Sequence, residues 1–276
     1  RVSGAPFDGE LKKSTVDAMI LANFQNLEKL NISWCDVINQ DYFSNIKSLK
    51  YFAASMANIV NLDFLKNMSE LEVLNLMGCQ SEIVPDLSRL RELRSISVSG
   101  MEIKDLGFLS SNRKLKSLFL SNTQIDSIID VSNFESLEKI FLVSTNVVDI
   151  WPLANLKKLR VVDISDTGVI DVSPLFRLPS LREFYLAGTG NVDLRALHYN
   201  SSLEVIDLQD VKMNIRWPRR WPKNLKQLNL FSSHVPRSLE RSRVPFVILR
   251  NGRILSNSSD YPNPFKAWIE RLRLRH

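Results

Sequence analysis

The residues with the most reactive side chains fall into a few sets. Asp163/Asp166 and Asp207/Asp210 are carboxylate pairs three residues apart, and Glu183 and Tyr185 lie between them. Paired carboxylates can share acid–base work, but only where a pocket excludes water. Arg216-Trp217-Pro218-Arg219-Arg220-Trp221 joins cations that could neutralise phosphates to rings that could stack on bases. His198, His234 and His276 are the only histidines, and none has a sequence-implied partner. Asp105, Asp149, Asp171 and Asp193 are separated by 22 residues or a multiple of it, which suits repeated capping of a turn better than one metal centre. No phosphate-binding loop, dinucleotide fingerprint or nucleophile elbow accompanies these groups. No catalytic residue, metal or cofactor is expected.

The elements that would position them repeat without slippage. Leu159-Arg160-Val161-Val162-Asp163-Ile164-Ser165-Asp166-Thr167 carries the pattern L-x-x-L-x-L-x-x-T. Its L-x-x-L-x-L part recurs ten times with apolar residues at the marked positions, the lead residues being Leu27, Leu49, Leu71, Leu93, Leu115, Leu137, Leu159, Leu181, Leu203 and Leu225, each 22 residues after the last. A fixed period of this length with this pattern predicts an α/β leucine-rich-repeat solenoid, with a concave parallel β-sheet and short 3₁₀ or irregular convex turns. The reading divides the chain into an N-terminal cap over 1–26, ten repeats over 27–233 and a basic C-terminal cap over 234–276. A short helix is expected within Asp8–Ile20. A strand over Phe246–Leu249, a turn at Asn251-Gly252, a return at Ile254–Leu255 and a basic amphipathic helix over Pro264–Leu274 are expected in the C-terminal cap.

Strand alternation then lists what faces outward. The central column runs Asn31, Ala53, Asn75, Ser97, Phe119, Phe141, Asp163, Tyr185, Asp207, Asn229. Two candidate binding patches follow. Trp34 and Tyr51, with Met56 and Met77, form an apolar one. Phe119, Phe141 and Tyr185, with Asp163, Asp166, Glu183, Asp207 and Asp210, form an aromatic and acidic one suited to a basic segment of a protein partner. Cys35 and Cys79 fall two rungs apart, ~10 Å by strand spacing, so two free thiols are expected.

Twelve residues in each repeat sharpen the subclass. Thr167–Leu178, TGVIDVSPLFRL, and Thr145–Leu156, TNVVDIWPLANL, resemble the repeat shared by the bacterial internalins and the nuclear regulator of protein phosphatase 1. The resemblance covers 27–231, although Thr stands at the position where internalins usually show Asn. It implies a curved solenoid whose sheet grips another protein, without catalysis.

Charge supplies the runner-up. Net charge is +6, yet residues 212–276 hold 15 Lys/Arg against 3 Asp/Glu, +12, while 1–211 hold 21 against 27, −6. Arg216, Trp217, Arg219, Arg220 and Trp221 therefore mark an alternative site for nucleic acid or an anionic surface. The competing reading puts both tryptophans in the core and the arginines in water, and the residue pattern favours it. No apolar run approaches the ~18 residues of a membrane span. Arg1 reads as the edge of a fragment or processed chain, so the repeats are also read as the recognition module of a larger protein. Sequons at Asn31, Asn67, Asn200 and Asn257 are no more than chance supplies, and assign no compartment.

Overall fold

The computed structural model describes residues 14–81, 83–190, 192–211 and 215–231, together with the backbone of 246–248 and 254–256. Its strands are β1 (Ser14–Asp17), β2 (Lys29–Asn31), β3 (Cys35–Ile38), β4 (Tyr51–Ala53), β5 (Val73–Asn75), β6 (Ser95–Ser97), β7 (Ser117–Phe119), β8 (Lys139–Phe141), β9 (Val161–Asp163), β10 (Glu183–Tyr185), β11 (Val205–Asp207), β12 (Gln227–Asn229), β13 (Phe246–Ile248) and β14 (Ile254–Ser256). One sheet runs in the order β14-β13-β12-β11-β10-β9-β8-β7-β6-β5-β4-β2. From β2 to β12 every pair is parallel and joins residue i to i+22, as in Phe119↔Phe141 and Phe141↔Asp163. The period of the sequence is thus the register of the sheet. After β12 the offset falls to 19, Gln227↔Phe246, and β14 returns antiparallel.

The inward positions explain why the chain winds this way. Leu49, Leu71, Leu93, Leu115, Leu137, Leu159, Leu181 and Leu203 are fully buried. Their partners three residues on, from Phe52 through Ile206 to Leu228, are buried as well. Each fully buried side chain of this size contributes roughly 1.5–3 kcal/mol. No rung can bury its own apolar face, so stacking supplies the core. Short 3₁₀ segments, among them Asp63–Asn67, Ile129–Asn133, Trp151–Leu153 and Ser173–Leu175, form the convex side.

Three polar devices repeat with the rungs. Asp105, Asp149, Asp171 and Asp193 each accept the backbone N–H two residues on, at 2.8–3.1 Å, opening the convex turn. Thr123, Thr145, Thr167 and Thr189 each donate a hydroxyl to the carbonyl three residues back, at 2.6–2.7 Å. Asn112 and Asn200, both buried, replace apolar residues at one repeat position. Each side-chain amide donates to two carbonyls of the preceding rung: Leu87 and Leu90 for Asn112, Leu175 and Leu178 for Asn200. Each of these carbonyls also accepts a backbone N–H within its own turn, so the amide adds a second bond that ties one rung to the next.

The N-terminal end differs from expectation. Among the described residues of the expected helix, Ser14–Asp17 are extended as β1, which pairs in parallel with β3, Ser14↔Cys35 to Asp17↔Ile38, and the helix is the single turn Ala18–Leu21. Asp17 explains the switch, because its carboxylate accepts the N–H of Met19 at 2.9 Å and caps the helix three residues before Ile20. Residues 8–13 of the expected helix lie outside the described residues, as do the Asn251-Gly252 turn and the Pro264–Leu274 helix. Neither Cys35 nor Cys79 is in a disulfide; Cys79 is buried and Cys35 half-buried.

Candidate protein-binding face

The outward column of the sheet places the predicted site residues in unequal positions. Phe119 on β7 and Phe141 on β8 are half-buried, and their rings stack nearly parallel, 5° apart with centroids at 4.8 Å. That spacing is the strand spacing itself, so in-register aromatics on adjacent rungs must stack. Tyr185, two rungs further, is only 7% exposed, and its hydroxyl donates to Glu183 at 2.8 Å. Outward-facing is therefore not the same as wet.

The same correction applies to two carboxylates. Asp163 is 1% exposed and Asp207 6%. Asp163 accepts the N–H and the hydroxyl of Ser165, at 3.1 and 2.7 Å. Asp207 accepts the N–H of Gln209 at 2.9 Å. Asn31, Asn75 and Asn229 make the equivalent bond in their own rungs. A short acceptor here closes the strand exit, so these side chains are held by the fold. Asp166, Glu183 and Asp210 remain reachable from solvent.

Asp166 and Asp210 belong to a row that strand alternation does not disclose. Trp34, Met56, Gly78, Gly100, Asn122, Ser144, Asp166, Gly188 and Asp210, all 22 residues apart, have φ between 52° and 73°. Glycine, Asn and Asp at six of the nine positions were the available signal, since these residues tolerate the left-handed region best. Trp34 and Met56 do not belong to that group. Trp34 is 61% exposed, Met77 nearby is 41% exposed, and Tyr51 is half-buried. Four rungs, ~19 Å by strand spacing, separate Trp34 from Phe119, while Met77 lies two rungs from Phe119.

The basic segment divides in two. Trp221 is 8% exposed within the core, and half-buried Trp217 packs on it with centroids 6.3 Å apart. Arg216 takes part in a parallel bridge with Asp193 and approaches its carboxylate at 3.6 Å. Arg219 and Arg220 are exposed. The rings that could have stacked on bases fill the interior where leucines lapse.

Along one edge, the residue after each lead leucine forms a charge ladder: Glu28–Lys50 at 2.6 Å, Glu72–Arg94 at 3.4 Å, Lys116–Glu138 at 3.2 Å, and Glu204 between Arg182 at 2.5 Å and Lys226 at 2.8 Å. The Lys226 ammonium above all holds the Glu204 carboxyl below its usual range; burial opposes it, and the Arg182 guanidinium adds to the lowering. Among the described residues no group of three or more His, Cys, Asp or Glu side chains could hold a metal ion, and no helix is long and apolar enough to cross a membrane.

No family model matches the chain, and no curated protein does. Solved structures do. Internalin C2 of Listeria monocytogenes superposes with a TM-score of 0.60 at 22% identity, covering 63% of this chain and 76% of that one. The leucine-rich-repeat protein LIC12759 of Leptospira interrogans gives 0.70 at 19% identity, covering 85% and 60%. The ectodomain of the Arabidopsis thaliana receptor kinase GASSHO1/SCHENGEN3, solved with CASPARIAN STRIP INTEGRITY FACTOR 2, gives 0.63 at 19% identity, covering 86% and 29%. The chain is a leucine-rich-repeat solenoid resembling internalins.

Proposed function

We propose that this chain is a non-enzymatic recognition scaffold that binds a protein partner on its concave sheet. The stacked, half-exposed pair Phe119–Phe141 carries the reading. Two flat rings held in register on a rigid sheet have little rotamer freedom left to lose on binding, and anchors of this kind dominate interface energies. Asp166, Glu183 and Asp210 border the same rungs and favour a basic partner segment. The complex of the plant receptor ectodomain with its factor supports recognition as a use of this fold. In this reading residues 1–26 and 234–276 close the two ends of the repeat array, and the array serves either alone or as the recognition module of a larger protein.

The test is capture from a nuclease-treated lysate by wild type and by Phe119→Ala/Phe141→Ala, with circular dichroism to show that the variant keeps its sheet. Tyr185 is left intact because its burial makes it structural. The expected outcome is loss of a specific protein from the variant. Retention of the same proteins defeats the concave-face reading. Loss from wild type with nuclease alone would turn attention to Arg219 and Arg220, the exposed part of the basic segment.

A further inference from the structure

The two faces of the Phe119–Phe141 stack are not alike. Beyond Phe141 the next in-register residue is Asp163, fully enclosed, and then Tyr185, nearly so. Beyond Phe119 it is Ser97, half-buried and too small to reach ring height. Since Phe141 occupies one face of Phe119, the other looks along the ladder across the Ser97 rung. The rung after that holds Asn75, whose side chain is bonded to the N–H of Met77, and Met77 is 41% exposed. Asn75 and Phe119 are two strand spacings apart, ~9.6 Å, and the in-register residue between them is Ser97, whose side chain ends at a hydroxyl.

From this geometry we infer that the Ser97 rung is a slot for one neutral aromatic side chain of the protein partner, with tyrosine chemistry. The inference rests on the concave-face reading and specifies its contact. A ring placed there would continue the stack of Phe119 and Phe141 at the spacing the sheet imposes, and Met77 would offer a polarizable thioether at its lip. The floor adds an independent observation. Among the described residues Ser95, Ser97 and Ser99 make no side-chain hydrogen bond, although Ser99 is nine-tenths buried. An aliphatic guest would cover those hydroxyls unsatisfied, whereas a phenol brings a donor and an acceptor. Charge selects further. Arg94 and Lys116 beside the slot are paired with Glu72 and Glu138, and Lys139 lies on the far side of Phe119's rung, so these two carboxylates already hold a cation.

The experiment is a titration of the ¹⁵N-labelled chain with N-acetyl-tyrosinamide, N-acetyl-leucinamide and N-acetyl-argininamide, read by amide chemical shifts. The tyrosine amide is expected to move Ser95, Ser97 and Ser99 by ring-current shifts, with the other two binding at least about threefold more weakly, the worth of one aromatic pair. Ser97→Phe, which fills the slot from the chain's own side, is expected to abolish the effect. Phe119→Leu, which removes the flat wall at similar volume, should weaken it about three- to tenfold and serves if Ser97→Phe does not fold. Equal binding of the leucine or arginine amide, or tyrosine shifts elsewhere on the chain, overturns the slot. If Ser97→Phe keeps the partner that Phe119→Ala/Phe141→Ala loses, the slot fails while the concave-face reading stands.

Discussion

Gly188→Ala should destabilise the chain by about 2 kcal/mol, while Gly190→Ala two residues away should change it little. Gly188 has φ +67°, and a Cβ built on it would collide with the Asp166 carboxylate, whose Cγ lies 3.0 Å from that point. The left-handed conformation costs an L-residue roughly 1–2 kcal/mol, and displacing the carboxylate adds to that. Gly190 has an ordinary φ, and a Cβ there meets nothing within 4 Å. Alanine at Gly190 is expected to be neutral or to stabilise by up to ~1 kcal/mol through the unfolded chain. The assay is urea denaturation followed by circular dichroism. A loss of about 2 kcal/mol would lower the melting temperature by roughly 4–8 °C. Asp166→Gly/Gly188→Ala separates the two causes, since removing the carboxylate should recover the steric part and leave the conformational part. Equal stability of Gly188→Ala and Gly190→Ala would refute the claim that the positive-φ row constrains sequence.

Asn112→Leu should destabilise the chain by roughly 1–3 kcal/mol in the same assay, despite adding apolar surface to the core. Leu156 and Leu178 occupy the equivalent position in other rungs, but here the Leu87 and Leu90 carbonyls would each lose the second of two donors and keep only the backbone N–H of Leu90 and Leu93, the two lost bonds being worth roughly 0.5–1.5 kcal/mol apiece. The folded-state depression of the Glu204 carboxyl sets a pH dependence. Its contribution is present above the unfolded value, about 4.3, and is lost as pH falls through the folded one. Glu204→Gln should therefore show a flatter decline of stability in acid than wild type. Identical slopes would assign the acid loss to other carboxylates.

Much of this architecture was legible because a rung repeats ten times. The lead leucines, the convex turns, the aspartates that open them and the threonine hydroxyls all sit where the 22-residue period puts them. The period sets the register, and the register sets neighbours. The departures arise where a one-dimensional rule meets a neighbour in space. Alternation along a strand places Tyr185, Asp163 and Asp207 outward, but it does not report how closely the folded sheet encloses them. The positive-φ row was half visible in Gly78, Gly100, Gly188, Asn122, Asp166 and Asp210, and was obscured by Trp34, Met56 and Ser144 at the same spacing. At the N-terminus the apolar spacing of Val16, Met19 and Ile20 fits a helix as readily as a strand followed by one turn. Only pairing with Cys35–Ile38 decides between them.

The rungs lie over one another like roof tiles. Met56 covers the ground where Gly78 has no side chain, and Asp166 does the same over Gly188. Each overlap ties a particular rung to the one that follows it. A 22-residue unit is thus a unit of length but not of exchange. Excising 167–188 would keep every leucine in phase and leave the helical rise unbroken, yet it would lay Asp166 against Asp210, two carboxylates where a glycine had made room. Growth and loss of repeats in such a chain is therefore constrained at the joints, and the small residues record which neighbours have been fitted to each other.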